Sequence, residues 1–147
     1  MIDLMVLRSG LPGVALAACV MFASPVFAET VSFKADLKAS EEVPPNDSKA
    51  TGTVTATYDT ASKKLTWKGN YSGLTGPATM AHFHGPAEPG KNAGVAVPIT
   101  PSASPFENSA NLTDAQVADL LAGRWYVNVH TAAHPGGEVR GQLVKGM

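Results

Sequence analysis

Strict alternation of apolar and polar side chains begins at residues 31–38, Val-Ser-Phe-Lys-Ala-Asp-Leu-Lys. Because successive side chains of a β-strand point to opposite faces, this stretch predicts a strand with its apolar side chains in a core. The same period of two returns at residues 53–58, 64–71, 125–130 and 138–143. Gly, Pro and Asn separate these stretches at short intervals, a pattern typical of antiparallel sandwiches and barrels. We therefore predict an all-β fold, either an antiparallel β-sandwich or a Greek-key barrel.

One short connecting helix is predicted at about residues 113–122. Thr113 suits the N-cap position, and Gln116 three residues later completes a capping box. An apolar face follows, and Gly123 stands where a left-handed C-terminal cap is favoured. We expect this helix to have a structural role.

Residues 1–28 have the layout of a secretory signal peptide. An uncharged apolar run at residues 11–23 is followed by small residues that lead to Ala28. Cleavage after Ala28 leaves residues 29–147 as one domain, which we expect to be periplasmic or secreted. The alternative is lipid anchoring at Cys19, which follows a lipobox-like sequence and is the one route to a membrane that we expect.

The charge balance indicates which partners to expect. The chain has 11 Lys and Arg against 12 Asp and Glu, a net charge of −1, and no basic run. Such a chain lacks the electrostatic footprint of a nucleic-acid-binding protein. Its single cysteine lies in the signal segment, so disulfides do not hold the exported form. A homo-oligomer or a protein partner remains open.

All four histidines lie in two short segments of the chain, which suggests a metal site. The candidate ligands are His82, His84, His130 and His134. The first two are two residues apart on a predicted strand, so they share one face with Met80, a candidate soft neighbour. The other two stand at the end of a strand and in the turn after it, within reach of the same ion. Imidazoles without a thiolate or carboxylate cluster favour copper or zinc over calcium or magnesium. Met80 and the expected export favour copper, with zinc as the alternative.

Three further side chains are expected close to this site. Arg140 falls on the same face as His130 and is a candidate guide for an anion if the metal is redox-active. Glu138 and Asn128 are candidates for orienting the imidazole rings. Without a metal, the same residues would belong to the surface of a protein-interaction module.

The chain resembles CHRD (chordin-type) domains in two signatures. Residues 81–87, AHFHGPA, with Gly90 and a strand at 94–99, are similar to the first signature. Residues 125–131, WYVNVHT, and 135–143, PGGEVRGQL, are similar to the second. The resemblance extends from about Val31 to Val144, and it departs from the family pattern only where Phe83 and Val139 replace the usual Ile.

This resemblance implies a domain named for chordin, an extracellular antagonist of growth factors, that also occurs alone in exported bacterial proteins. It implies no particular activity, so whether the protein is an enzyme stays open. The chain is also loosely similar to copper-zinc superoxide dismutases, which are antiparallel β-sandwiches with a histidine-bound copper. It lacks a His-rich, Asp-containing zinc loop, so this similarity implies at most a copper-only enzyme.

Overall fold

The computed structural model describes residues 28–146. Nine strands, a single turn of 3-10 helix at Ala39–Glu41 and one α-helix make up this part of the chain. The elements are β1 (Thr30–Lys38), β2 (Thr51–Asp59), β3 (Lys64–Ser72), β4 (Ala78–His84), β5 (Val95–Pro98), β6 (Phe106–Asn111), α1 (Asp114–Leu121), β7 (Tyr126–Thr131), β8 (Val139–Gln142) and β9 (Val144–Lys145). The prediction of an all-β fold with one short helix is confirmed. The predictions for the signal segment and for Cys19 fall outside the described residues.

The nine strands form one sheet that curls into a nearly closed barrel around the core. Its strand order is β5-β4-β7-β8-β1-β2-β3-β6, with β9 beside β1. Neighbouring strands are antiparallel. β4 and β7 are neighbours in the sheet although β5, β6 and α1 lie between them in sequence, and this pairing positions the candidate site.

The predicted alternation places the expected side chains in the core. On β1, Phe33, Ala35 and Leu37 are buried, while Lys34 and Asp36 between them are exposed. On β4, Ala81 and Phe83 enter the core, so the residues that alternate with them face outward. Burial of these apolar side chains is the main favourable contribution to folding.

The α1 helix begins and ends as its sequence indicates. Thr113 and Gln116 form both hydrogen bonds of the capping box, and Gly123 has a φ of +74°, the left-handed conformation expected after the helix. The Gln116 Nε2 also donates to the Ala96 carbonyl at 2.9 Å, which ties the helix to β5. Among residues 28–146, no helix has the length and hydrophobicity that crossing a membrane requires.

β7 is buried on both of its faces, unlike the other long strands. Each of its residues from Tyr126 to Thr131 is buried. Its inward side chains pack in the barrel. On its outward face, Tyr126 contacts the connection between β4 and β5, residues 85–94, while Asn128 and His130 contact the turn after β7. The outward face of β4, β7 and β8 is therefore a second, polar interior, and the candidate site lies there.

Candidate metal centre

Two neighbouring strands bring three of the four histidines together. His82 and His84 lie on the outward face of β4, and His130 lies on β7. In the antiparallel register of the two strands, Asn128 is directly across from His82 and Met80 is directly across from His130. The expected convergence of His130 with the first two histidines is confirmed.

The three imidazoles are spaced as ligands of one ion would be. One ring nitrogen from each lies within 4.8 Å of the others, and His82 Nδ1 is 3.1 Å from His130 Nε2. Nitrogens that share an ion at about 2.0–2.1 Å each are about 3–4 Å apart, so small ring movements would accommodate a metal. The His82 ring is centred 5.3 Å from that of His84 and 5.0 Å from that of His130.

Backbone carbonyls fix which nitrogen of two rings keeps the lone pair that could bind a metal. His84 Nδ1 is 3.0 Å from the Ala93 carbonyl oxygen, and His130 Nδ1 is 2.9 Å from the Pro135 carbonyl oxygen. Because a carbonyl only accepts, each Nδ1 carries the proton and each Nε2 presents a lone pair. The Nε2 of His84 is buried and has no hydrogen-bond partner. Donation from the remote ring nitrogen to a carbonyl is the usual support of a metal-bound imidazole, so these residues fit a metal ion.

Burial keeps two of the imidazoles in the neutral form that binds metals. Burial first, and then the charges of His130 and His84, lower the pKa of His82. Burial also lowers the pKa of His84, against the opposing effects of its hydrogen bond to the Ala93 carbonyl and of the nearby Asn128 side chain. A lowered pKa means that protons compete less with a metal at neutral pH.

A stack of three side chains supports His84. The Tyr126 ring is parallel to the His84 ring, with an interplanar angle of 4° and 4.8 Å between centroids. The guanidinium carbon of Arg140 lies 3.5 Å from the centroid of the Tyr126 ring. The Tyr126 hydroxyl accepts a hydrogen bond from the Ala93 amide at 3.1 Å and donates to the Ala93 carbonyl at 3.3 Å. Tyr126 therefore holds both the ring of His84 and the carbonyl that fixes its tautomer.

Arg140 lies beneath the 85–94 connection. Its side chain is 2% exposed, and its two terminal nitrogens donate to the Asn92 side chain at 2.9 Å and to the Lys91 carbonyl at 2.6 Å. The Tyr126 ring lies between this guanidinium and His84. The role of anion guide stays a prediction for Arg140, and its buried position does not favour that role.

Asn128 and Glu42 lie deeper behind the histidines. Asn128 donates from Nδ2 to the Gly136 carbonyl at 3.3 Å, and its Oδ1 is buried without a partner. The Asn128 side chain also acts on the pKa of His84, and its predicted role of orienting a ligand ring stays a prediction. Glu42 is 5% exposed, and one of its carboxylate oxygens has no partner. Burial raises the pKa of Glu42 to about 7, although the charge of Arg140 and hydrogen bonding to Asn128 oppose the shift.

Glu138 connects three parts of the chain and makes its hydrogen bonds away from the imidazole rings. Its carboxylate accepts from the Ser48 hydroxyl at 2.6 Å, from the Thr75 amide at 2.9 Å and hydroxyl at 2.8 Å, and from the Thr131 hydroxyl at 2.7 Å. Burial alone would raise the pKa of this carboxyl, but these four hydrogen bonds lower it to about 2. The ring-orienting role predicted for Glu138 is thus at most indirect, through Thr131 next to His130.

Two predicted site residues remain, His134 and Met80. His134 is half-buried in the turn after β7, and its backbone bonds to that of Thr131. It is not part of the group of close histidines, so its role as a fourth ligand stays a prediction. Met80 is 47% exposed and lies on the same outward face as His82.

Sequence reasoning missed the residues that hold the ligands in place. Tyr126 could have been found, because the alternation at residues 125–130 places it on the same strand face as His130. The carbonyls of Ala93 and Pro135 have no sequence signal, since every residue has a carbonyl and only the backbone path directs it. Glu42 precedes a Pro-rich break and resembles an ordinary surface acid.

Comparison with known proteins identifies one family. Residues 33–143 match the family model described as the CHRD domain. No curated protein matches the chain, and no solved structure matches it.

Proposed function

The chain belongs to the CHRD domain family, and on that premise we propose that it is an exported protein that binds a copper ion through His82, His84 and His130. Zinc is the alternative ion. The observation that carries the proposal is the buried, unpartnered Nε2 of His84, whose lone pair is fixed beside two further imidazoles. A buried polar atom without a partner is unfavourable unless a ligand satisfies it.

The donor set supports copper over calcium or magnesium. The group contains three imidazoles and no carboxylate, whereas calcium and magnesium require oxygen ligands. Divalent copper binds nitrogen sites more tightly than zinc does, and a thioether lies on the same face of β4. Export is proposed from the signal-like layout of residues 1–28 and accords with a protein that handles copper outside the cytoplasm.

The test is copper and zinc binding by the purified protein without a polyhistidine tag. We expect one copper ion per chain by elemental analysis, and nitrogen hyperfine structure in the electron paramagnetic resonance spectrum of the Cu²⁺ form. His84→Ala and His130→Ala should each reduce affinity by more than about 100-fold, the upper end of the effect of losing an outer-sphere partner.

The His134→Ala variant is the matched comparison, because it removes an imidazole from the turn that directly follows the strand of His130. Unchanged affinity in this variant indicates a three-histidine site, and a large loss adds His134 as the fourth ligand. If these three variants and His82→Ala all bind copper as the wild type does, the site is not a metal centre. The alternative function, a protein-interaction module without metal, then takes its place.

A further inference from the structure

Met80 occupies a position in the sheet from which its side chain could reach a copper ion bound by His82, His84 and His130. It is two residues before His82 on the outward face of β4, and in the register of the two strands it is directly across from His130. Side chains that are opposite each other in an antiparallel pair have Cβ atoms about 4.5–5.5 Å apart. The three rotatable bonds of a methionine allow its sulfur to reach an ion held between these two histidines.

The site is open on the side of Met80 and closed on the side of His84. His84 and His130 are 8% and 6% exposed, whereas Met80 is 47% exposed and His82 is half-buried. A recess of about 180 Å³ lies beside Met80 and His82 and is bounded by the segment from Pro98 to Ser102. Met80 and His82 are therefore more accessible to an ion from solvent than the two buried imidazoles are.

The chemistry of this opening selects among metal ions. A thioether is a soft, uncharged ligand that stabilises monovalent copper far more than divalent copper or zinc. Three imidazoles and one thioether form a neutral set that suits an ion of single charge. We propose that Met80 is an exchangeable fourth ligand and that the ion which this protein takes up and releases is Cu⁺. This inference rests on the proposed function, because it needs the three-histidine site.

Met80→Leu is the decisive variant, since leucine keeps the size and apolarity of the side chain and removes the sulfur. From residue 29 onward, Met80 and Met147 are the only methionines, so Met147→Leu is the matched control for the loss of one thioether. Affinity for Cu⁺ is measured without oxygen by competition with a chromophoric Cu⁺ chelator, and affinities for Cu²⁺ and Zn²⁺ are measured in parallel. X-ray absorption of the Cu⁺ form reports a sulfur ligand directly.

We expect a copper–sulfur shell in the wild type and in Met147→Leu, and none in Met80→Leu. Affinity for Cu⁺ should fall by at least about tenfold in Met80→Leu, while affinities for Cu²⁺ and Zn²⁺ stay within about twofold. Bound Ag⁺, a redox-inert substitute for Cu⁺, should also protect Met80 from oxidation to the sulfoxide by peroxide.

Wild-type Cu⁺ affinity in Met80→Leu, or the absence of a sulfur shell, would overturn the inference. If Cu²⁺ still binds through the histidines in that case, the proposed function stands and only the thioether ligand fails. If the wild type and the histidine variants bind no metal, the proposed function fails as well.

Discussion

Replacement of Glu42 by glutamine tests the polar interior behind the histidines. Glu42 follows the 3-10 turn after β1 and is 5% exposed, with Arg140 and Asn128 as its polar neighbours. Burial raises its pKa from 4.5 to about 7, and the charge of Arg140 and hydrogen bonds to Asn128 and the Val43 backbone only partly oppose the shift. Folding therefore favours the protonated carboxyl.

The size and sign of the effect follow from proton linkage. In the unfolded chain the carboxyl loses its proton near pH 4.5, and in the folded chain it keeps the proton to about pH 7. The stabilisation is complete below pH 4.5 and is lost as the pH rises to about 7, because in this interval the folded state binds more protons. Each unit of pKa difference corresponds to 1.36 kcal/mol, so the total loss is about 3 kcal/mol. Glutamine does not ionise and escapes this loss.

Urea unfolding of the metal-free protein at pH 5 and pH 8 measures the effect. The fluorescence of Trp67 and Trp125, which are both buried, reports the transition. The free energy of unfolding of Glu42→Gln minus that of the wild type should rise by about 2–3 kcal/mol between pH 5 and pH 8. Glu41→Gln removes the same charge from the exposed neighbouring position and should show no such rise. Parallel pH profiles for the wild type and Glu42→Gln would refute this account of the buried carboxyl.

Three further predictions concern the other buried groups. Glu138→Gln should lower the free energy of unfolding by about 3 kcal/mol at pH 7. Because the folded pKa is lowered from 4.5 to about 2, the wild type should lose this advantage between pH 4.5 and pH 2, as acid titrations of both proteins will show. Affinity for copper should stay constant as the pH falls to the ordinary imidazole range near ~6.5 and should decline only below it, because the pKa values of His82 and His84 are lowered. Competition titrations at a series of pH values measure this affinity, and a decline that starts above that range would contradict the prediction. Tyr126→Phe keeps the ring stack but loses both hydrogen bonds to Ala93, so affinity should fall by about tenfold with little change in thermal stability; equal affinities would show that the Ala93 carbonyl needs no support.

The strands and the helix could be predicted because their signals are local. The alternation at residues 31–38 shows which side chains of β1 are buried, and Thr113 and Gln116 mark the start of α1 within one residue. Each of these patterns depends on neighbours within one strand or one helical turn. Tertiary packing did not override them, because in each case the apolar positions agree with the face that the sheet buries.

The common face of His82 and His84 is equally local, whereas the position of His130 beside them is not. It depends on the pairing of β4 with β7, which no short pattern encodes, since β5, β6 and α1 lie between these strands. The sequence provided only the fact that all the histidines lie in two short segments. The burial of β7 on both faces was equally hidden, because Tyr126, Asn128 and His130 have the composition of an ordinary solvent-facing row.

The turn after β7 shows why the last part of the site escaped sequence reasoning. A histidine four residues after His130 predicts a second imidazole from the turn that follows β7, and the role of His134 as a ligand stays a prediction. In the structure, the next residue of that turn contacts the site, because the Pro135 carbonyl accepts a hydrogen bond from His130 Nδ1 at 2.9 Å. Gly137, at a φ of +129°, then returns the chain to β8, and a side chain there would collide with Glu42. Whatever its imidazole does, the turn of His134 acts on the site through a backbone oxygen, and the geometry of that turn depends on the close packing of Gly137 against Glu42.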